Sequence, residues 1–272
     1  MSRFYKFQLG KFSCIALEDN TKQIPIQKQF PSVNEQALGA AMEASGADML
    51  VPVGFNCLYI DTGTKKILVD TGRGTDKLLD SLQNAGISPD SIDIVILTHG
   101  DSDHVGGIEN FPSVQFAMPK MAYDIWTHDA SRDIMLADYK RVFESMILPE
   151  DLTKGLDFRE HYGSELLPSL KNRLTLVDLE QDIVPGVRMI DARGHRLDHF
   201  AVEIESEGQT ILHVVDAFRH PIQITNPDWY SVFDSDPASM GVTTRHLLAR
   251  MQEKKALLFL AHLPFPGLMK LE

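Results

Sequence analysis

The sequence predicts an α/β fold with mixed β-sheets, helices on the outside and two similarly built halves. Short runs rich in β-branched residues alternate along the chain with segments whose apolar residues recur three and four positions apart. Three apolar runs end in a residue that can bind a metal: "DIVILT" is followed by His99, "ILHVV" by Asp216, and "ALLFL" by Ala261 and His262. Alternating elements of this kind pack as layers, with helices covering the sheets.

The composition is that of an ordinary globular protein. The 272 residues are 43% hydrophobic and 24% charged, which is enough for one large domain with a sizeable core. The formal net charge of -12 disfavours nucleic-acid binding, because a phosphate backbone requires a positive field. No apolar run is long enough for a signal peptide or a membrane span, and 2 cysteines are too few for a disulfide framework. We therefore expect a cytoplasmic protein with no membrane partner.

The first half is predicted to contain paired strands followed by a helix and a central strand. "FNCLYIDTG" and "KKILVDTG" are typical of strands, with a turn at 62–64 between them. The leucine spacing of "TDKLLDSLQNAG" predicts a helix with Thr75 as N-cap and Gly86 as C-cap. "DIVILT" is a continuous apolar run, which indicates a strand buried on both faces.

A mainly helical insertion is predicted at about 119–172, within a single domain that spans 1–272. "PKMAYDIWTHD" and "ADYKRVFESMIL" carry apolar residues at helical spacing. A lid over a site and outer-layer packing both explain such a segment. Its aromatic residues Trp126, Tyr139 and Phe143 are expected in the core rather than around a substrate.

The second half returns to strands. "RLTLVD", "GVRMID", "HFAVEIES" and "TILHVVD" are typical of strands, and Glu207 and Gly208 mark a turn between the last two. A helix is predicted from Pro237, with Asp236 as its N-cap, before the final strand "KALLFLAH".

The segment "THGDSDHVGG" places four side chains that can bind metals directly after a buried strand: His99, Asp101, Asp103 and His104. In layered α/β folds, sites gather beyond one end of the strands. Neutral imidazoles and carboxylates are ligands of zinc, iron and manganese. A polar loop in which Asp103 caps the next helix would explain any one of these residues, but it does not explain the whole set. The segment therefore predicts a metal site.

Five motifs, in this order, resemble those of the metallo-β-lactamase superfamily. The residues from His99 to His104 resemble its H-x-H-x-D-H loop, and "KKILVDTG" resembles its early strand. "ARGHRLDH", "VVDAFRHP" and "LAHLPFPG" resemble its later histidine motif, its bridging-aspartate motif and its final histidine motif. The resemblance covers the chain from about residue 50 to its end. It implies a four-layer αββα sandwich and a metal-dependent hydrolase.

The resemblance also implies a centre with two divalent ions. One ion would be held by His99, Asp101 and His195, the other by Asp103, His104 and His262, with Asp216 bridging both. A hydroxide between the ions would attack the substrate, because bound metals lower the pKa of water and polarise the substrate oxygen. Asp103 would orient this hydroxide and pass a proton to the leaving group, and Asp70 would orient a ligand.

The C-terminal motifs resemble a narrower branch, which contains the methyl parathion hydrolases and the lactonase-like quorum-quenching enzymes. "DAFRHPIQI", "FDSDPASM" and "AHLPFPG" carry this resemblance. Members hydrolyse esters, lactones or phosphotriesters, so the implied partner is a small-molecule substrate, and the branch suggests a homodimer. Many members have histidine where Arg219 stands here, so we expect that wall of the pocket to differ.

Asp101 departs from the family pattern, which has histidine at its position. As a ligand, its hard oxygen would favour iron or manganese relative to zinc and would make the bridging water less acidic. The flavodiiron proteins, which are iron-binding relatives, carry a glutamate at this place. Alternatively, aspartate is too short to reach, and one metal site is weak or empty. We favour the first interpretation because every other ligand position is filled.

Three further residues are candidates for positions near the metals or the substrate. His220 would contact substrate or lie on a loop, His199 would support the site or lie on the surface, and Phe265 would line the pocket or pack against a turn. The histidines without any motif around them are expected to be structural or exposed: His128, His161, His213 and His246.

We favour a hydrolase of a small ester, lactone or related substrate over three other classes. An iron-dependent oxidoreductase would need a flavin domain, and the chain has no Gly-rich nucleotide-binding segment. A nuclease is disfavoured by the net charge. The hypothesis of a metal-poor sensor or an inactive binding protein is based on Asp101 alone. A purified protein with neither bound metal nor hydrolytic activity would favour this hypothesis.

Overall fold

The fold consists of two packed β-sheets with helices on their outer faces. A computed structural model describes residues 3–270. The strands are β1 (Phe4–Leu9), β2 (Phe12–Pro25), β3 (Leu50–Asp61), β4 (Lys66–Val69), β5 (Ile94–Ile96), β6 (Gln115–Pro119), β7 (Leu174–Val177), β8 (Asp182–Val184), β9 (Val187–Asp191), β10 (Phe200–Ser206), β11 (Gln209–Val215), β12 (Leu257–Leu260) and β13 (Leu268–Met269). The helices are α1 (Ile26–Gln29), α2 (Glu35–Ala44), α3 (Asp76–Ala85), α4 (Ser102–Val105), α5 (Lys120–Thr127), α6 (Asp129–Phe143), α7 (Pro149–His161), α8 (Leu167–Ser169), α9 (Ile222–Thr225) and α10 (Pro237–Lys254).

Both sheets mix parallel and antiparallel pairs, as predicted. The first sheet has seven strands in the order β1 to β7, antiparallel up to β4 and parallel from β4 to β7. The second has six strands in the order β13-β12-β11-β10-β9-β8, in which only β11 and β12 run parallel. The predicted α/β class and the four-layer αββα arrangement are confirmed.

The main core lies between the two sheets. It joins Leu17 and Leu58 of the first sheet to Val202 and Ile204 of the second. Strand side chains alternate between faces, so Ala201, which neighbours Val202, lies in the separate core beneath α10. Each sheet is therefore covered on both sides, which explains the nearly continuous apolar runs of its central strands.

The sequence predicted capping residues for two helices, α3 and α10. Helix α3 ends before Gly86, whose φ of 84° is the left-handed conformation that favours glycine. Thr75 precedes this helix, but its hydroxyl binds Asp19 instead of capping the helix. Asp236 caps α10 and accepts hydrogen bonds from the backbone N–H groups of residues 238 and 239.

The helical segment predicted at 119–172 connects two neighbouring strands. Helices α5 to α8 lie between β6 and β7, which pair in parallel. Parallel neighbours need a long crossover connection, so this segment belongs to the architecture of the first sheet. That the chain forms a single domain stays a prediction. In the part of the chain that the structure describes, no helix combines the length and hydropathy needed to cross a bilayer.

Candidate metal centre

Two groups of donor side chains lie beyond the ends of strands β5, β11 and β12. His99, His195 and Asp216 form one group and Asp103, His104 and His262 the other, and within each group the donor atoms lie within 4.8 Å of one another. The Asp216 carboxylate lies between the groups. Its oxygens are 3.2 Å from Nε2 of His195, 3.3 Å from Nε2 of His104 and 3.0 Å from Nε2 of His262. The structure thus brings together residues that the sequence spreads over more than half of the chain.

The backbone around Asp216 is strained. Val215, the last residue of β11, has a φ of 54°, which is rare for a β-branched residue. The pairing of β11 with β12 shifts register between His213 and Val215. Such conformations cluster at functional sites, where the surrounding structure holds them. Asp216, whose carboxylate lies between the two donor groups, directly follows Val215.

Each of the four histidines in these groups is oriented by a hydrogen-bonding contact at Nδ1. The contacts join His104 to Asp70 (2.7 Å), His195 to Asp234 (2.9 Å), His262 to the carbonyl of Gly54 (2.9 Å) and His99 to the hydroxyl of Thr98 (3.1 Å). A partner at Nδ1 fixes the ring and leaves Nε2 to bind a metal. Asp70 also accepts hydrogen bonds from the backbone N–H and the hydroxyl of Thr98, at 2.9 and 2.8 Å.

The inward-facing atoms of this site fit a divalent ion. Nε2 of His99, His104 and His195 and Oδ1 of Asp216 are buried and have no hydrogen-bond partner within residues 3–270. Buried polar atoms without a partner are rare in native proteins and call for an explanation. Imidazole nitrogens grouped around a carboxylate are a donor set for zinc, iron or manganese. The residues present therefore fit the metal centre that the family implies.

Electrostatics in the site are dominated by burial and by the carboxylates. Burial, with a smaller effect from His104, holds the pKa of His99 well below its ordinary value, which keeps the ring in the neutral form that binds metals. Burial alone would raise the pKa of Asp216, but His262, His104 and Arg219 hold it well below its usual range. For His104, burial is outweighed by Asp216 and Asp70, which raise its pKa well above the ordinary value. A proton and a metal ion therefore compete for His104.

Asp101 lies at the edge of this centre, and its oxygens bind two buried arginines. Oδ1 accepts from Arg159 at 2.9 Å and from Nε of Arg196 at 3.2 Å, and Nη2 of Arg196 lies 2.9 Å from Oδ2. Oδ2 is 3.8 Å from Nε2 of His99 and 3.6 Å from Nε2 of His195. Burial would raise the pKa of Asp101, but Arg196 and Arg159 hold it well below its usual range. That Asp101 binds metal stays a prediction. The sequence did not indicate that Asp101 forms ion pairs with two arginines.

The centre opens onto a cavity of about 290 Å³. Asp101, Asp103 and Asp216 line it, and the Asp103 side chain is 23% exposed. Tyr139 and Phe143 of α6 also line the cavity; Tyr139 is buried, as expected of a core residue, whereas Phe143 is only partly buried. They line the cavity because α6 packs beside α7, where Arg159 lies 3.5 Å from the Tyr139 ring centroid and reaches Asp101.

Arg219 occupies the position at which the branch resemblance predicted a different pocket wall. Nη1 of Arg219 donates to Oδ2 of Asp216 at 2.6 Å, and the guanidinium lies 4.6 Å from the ring centroid of Phe233. Its Nε is buried without a hydrogen-bond partner among the described residues. Arg219 thus brings a cation to the bridging carboxylate.

The other candidates take different places. His199 is buried, has its Nδ1 2.7 Å from the carbonyl of Ala192 and accepts from the backbone N–H of Asp216 at 3.1 Å, so it helps to place that carboxylate. His220 lies outside the cavity, and its Nδ1 accepts from the backbone N–H of Ile222 at 3.3 Å. Phe265 also lies outside the cavity, with Arg3 4.9 Å from its ring centroid.

Arg159, Arg196 and Asp234 are among the residues of this region that were not predicted. Arg196 and Asp234 lie inside quoted motifs, "ARGHRLDH" and "FDSDPASM", but nothing in their spacing indicates a contact with Asp101 or His195. Arg159 has no motif around it. The resemblance of "FDSDPASM" to the narrower branch is the one signal that could have suggested Asp234.

Comparison with known proteins agrees with this geometry. The family model for the metallo-beta-lactamase superfamily matches residues 51–262. The structure of AidC, a dizinc quorum-quenching lactonase in complex with a product, aligns with a TM-score of 0.84 and 26% identity over 99% of this chain and 93% of that chain. An N-acyl homoserine lactonase of Bacillus thuringiensis is 22% identical over 76% of this chain and 80% of its own length. Metallo-beta-lactamase domain-containing protein 1 of Xenopus laevis is 42% identical over 66 residues, and this chain spans only 27% of its length.

The family model covers more than half of the chain, and the structural likeness to a lactonase extends over nearly all of it. The donor groups described above lie within or at the end of the matched segment. The chain belongs to the metallo-beta-lactamase superfamily, as its motifs predicted, and is a metal-dependent hydrolase.

Proposed function

We propose that this hydrolase cleaves small lactones, esters or related substrates at a centre that holds two divalent ions. The observation that carries the proposal is the set of unpartnered histidine Nε2 atoms that face Asp216 beside an open cavity. Likeness to AidC and to the Bacillus thuringiensis lactonase supports a lactone or ester as substrate.

The proposed ligands follow the two donor groups. His99, His195 and, if it contributes an oxygen, Asp101 would hold one ion; Asp103, His104 and His262 would hold the other; Asp216 would contact both. Bound divalent ions supply Lewis acidity, which polarises a substrate carbonyl and lowers the pKa of water. Histidine nitrogens suit zinc, and an oxygen from Asp101 would favour iron or manganese.

The protein's own groups have separate tasks in this proposal. Asp103 is the proton carrier, because its carboxylate is accessible from the cavity and lies 3.7 Å from Nε2 of His262. Asp70 and Asp234 hold His104 and His195 in orientation. The rings of Tyr139 and Phe143 form an apolar wall that limits the access of water to the substrate.

Elemental analysis tests the metal part of this proposal, and a substrate panel tests the reaction. Protein purified without chelator is analysed for zinc, iron and manganese, then reconstituted with each ion and assayed with an ester, a lactone and a phosphotriester. We expect bound metal and hydrolysis of the ester or the lactone. Bound metal without hydrolysis of any substrate would contradict the proposed reaction. Absence of both would favour the metal-poor binding protein instead.

Location and assembly are also proposals. We infer a cytoplasmic location from the cysteines, because Cys14 and Cys57 are both buried and unpaired, as is usual in a reducing compartment. The homodimer rests on the branch resemblance alone. Cell fractionation and light scattering of the purified protein test these two points.

A further inference from the structure

The cavity beside the metal centre carries more positive than negative charge. Five cationic side chains line it, namely Lys22, Arg73, Arg159, Arg196 and Arg219, against three carboxylates, namely Asp101, Asp103 and Asp216. The chain as a whole has a formal net charge of -12, so the excess of positive charge in the cavity is opposite in sign to the net charge of the protein. Metal ions bound in the centre would make the cavity more positive still.

Three of the five cationic side chains form salt bridges with carboxylates of the protein. Arg159 and Arg196 bind Asp101, and Arg219 binds Asp216. Lys22 and Arg73 form no salt bridge with any residue between 3 and 270. These two side chains are the cations that the fold leaves available to a ligand.

Lys22 and Arg73 lie on the same wall of the cavity, around one aromatic ring. Lys22 of β2 pairs in register with Val53 of β3, which places it diagonally to Phe55 on one face of the sheet. Nζ of Lys22 is 5.8 Å from the Phe55 ring centroid, and the Arg73 guanidinium is 4.8 Å from it. Burial and the nearby Arg73 lower the pKa of Lys22, and they outweigh the Asp103 carboxylate, which raises it. Neighbouring like charges repel each other, and an anion bound beside both side chains would relieve this repulsion.

Arg219 gives a second, independent indication of an anion. It is 8% exposed and lines the cavity, and its Nε has no hydrogen-bond partner in the described chain. A buried guanidinium N–H without a partner is costly, and a ligand oxygen would satisfy it. The cavity of about 290 Å³ is at the lower end for ligand pockets, which suits a small substrate rather than one with a long chain.

We propose that the substrate is a small ester or lactone that carries a permanent oxyanion, a carboxylate or a phosphate, and that Lys22 and Arg73 bind this group. The inference rests on the proposed function, because the bond that is hydrolysed lies at the metal centre. Water adds to the carbonyl carbon, the bond to the ester oxygen breaks, and the leaving oxygen takes up a proton that Asp103 passes to it. The products are a carboxylate, an alcohol and one proton released to solvent, and for a lactone the carboxylate and the alcohol remain in one molecule. The oxyanion held by Lys22 and Arg73 does not react.

A matched set of chromogenic esters tests the proposal with metal-loaded enzyme. The neutral member is 4-nitrophenyl butanoate, and the anionic members are esters of the same length that end in a carboxylate or a phosphonate. We expect kcat/KM of at least one anionic ester to exceed that of the neutral ester about tenfold or more, mainly through KM, because a charged hydrogen bond contributes an affinity factor of roughly 10 to 100. The two anionic arms distinguish a carboxylate from a phosphate substrate.

Variants then test whether Lys22 and Arg73 cause the preference for anionic esters. Lys22→Met and Arg73→Met should each lower the ratio of anionic to neutral kcat/KM about tenfold, while Arg73→Lys should keep most of it. Lys171→Met removes one charge from an exposed lysine outside the cavity and should leave the ratio unchanged. A wild-type ratio near one, or a ratio that Lys22→Met and Arg73→Met do not change, would overturn the inference while hydrolysis of the neutral ester still supports the proposed function.

A binding measurement decides the inference if none of the esters is hydrolysed. The proposed function would then fail, and isothermal titration of succinate and of inorganic phosphate into the wild type and into Lys22→Met would test the anion site directly. We expect binding of at least one anion that weakens about tenfold in Lys22→Met. Equal affinities for the two proteins, or no binding to either, would overturn the anion site as well.

Discussion

Arg196 binds both carboxylate oxygens of Asp101, with Nε 3.2 Å from Oδ1 and Nη2 2.9 Å from Oδ2. Arg159 adds a second guanidinium at 2.9 Å from Oδ1. Both arginines are buried, so Asp101 is the negative charge that compensates two cations inside the protein. The aspartate that departs from the family's histidine therefore has a structural reason independent of the metal.

Replacement of Asp101 by asparagine should destabilise the protein even without metal. The substitution keeps the shape of the side chain but removes the carboxylate that binds two buried guanidinium groups, and breaking a buried ion pair costs about 3–5 kcal/mol. Urea denaturation of the metal-free protein measures the free energy of unfolding. Asp178→Asn, at an exposed position, is the control and should change it by less than about 0.5 kcal/mol. An unchanged metal-free stability together with lost metal would instead identify Asp101 as a ligand only.

Replacement of Asp103 by asparagine should nearly abolish hydrolysis while the fold survives. The amide cannot accept and pass on the proton that the carboxylate carries, which corresponds to a loss of about 10²–10⁴ in kcat. Steady-state kinetics and circular dichroism check the two parts, with Asp133→Asn on the exposed face of α6 as control. Rates like those of the wild type in Asp103→Asn would rule out the proposed proton carrier.

Asp234→Asn should weaken metal binding although it leaves every proposed ligand residue in place. Asp234 is buried and lies 2.9 Å from Nδ1 of His195, and loss of such a partner lowers metal affinity about 10–100-fold. Competition with a chromophoric chelator measures the affinity. Asp228→Asn is the matched control, because Asp228 lies in the same loop but its side chain is 79% exposed. Equal affinities in the two variants would show that Asp234 does not support the centre.

Glu203→Gln should lower stability in a manner that depends on pH. The Glu203 side chain is fully buried and lies 2.6 Å from Nε of Arg250, with Lys254 and Arg188 at 3.4 and 3.5 Å. Burial would raise the pKa of Glu203, but the hydrogen bond from Arg250 and the charges of Arg250, Lys254 and Arg188 lower it below its ordinary value of 4.5. A lowered pKa contributes stability that is present above the pKa of the unfolded chain and is lost as the pH falls through the pKa of the folded state.

We therefore expect Glu203→Gln to cost about 3 kcal/mol at pH 7, with the difference from wild type shrinking below about pH 4.5. Urea denaturation at pH 7, 5.5 and 4 measures this difference. Glu109→Gln, at an exposed position, serves as the control and should show no such trend. A difference that is constant with pH would mean that the charge of Glu203 contributes nothing.

Much of the fold was predictable because its signals are local. The caps at Gly86 and Asp236 and the apolar run of β5 depend only on neighbouring residues. Strands β1 and β2 carry no clear alternation in the sequence and are found only in the structure. Strand β1 forms the edge of the first sheet and pairs with β2, and β2 pairs with β3, from which α1 and α2 separate it in the sequence.

The sequence by itself determined which side chains are candidate metal ligands, because each stands in a short motif that resembles one of the family: His99, Asp101, Asp103, His104, His195, Asp216 and His262. Only the tertiary structure decided which charges surround them. Arg159 and Arg196 reach Asp101 across 58 and 95 residues. Lys22 and Arg73 both lie near the ring of Phe55, although α1, α2, β3 and β4 separate them in the sequence. Such contacts depend on how sheets and helices pack, and no local spacing encodes them.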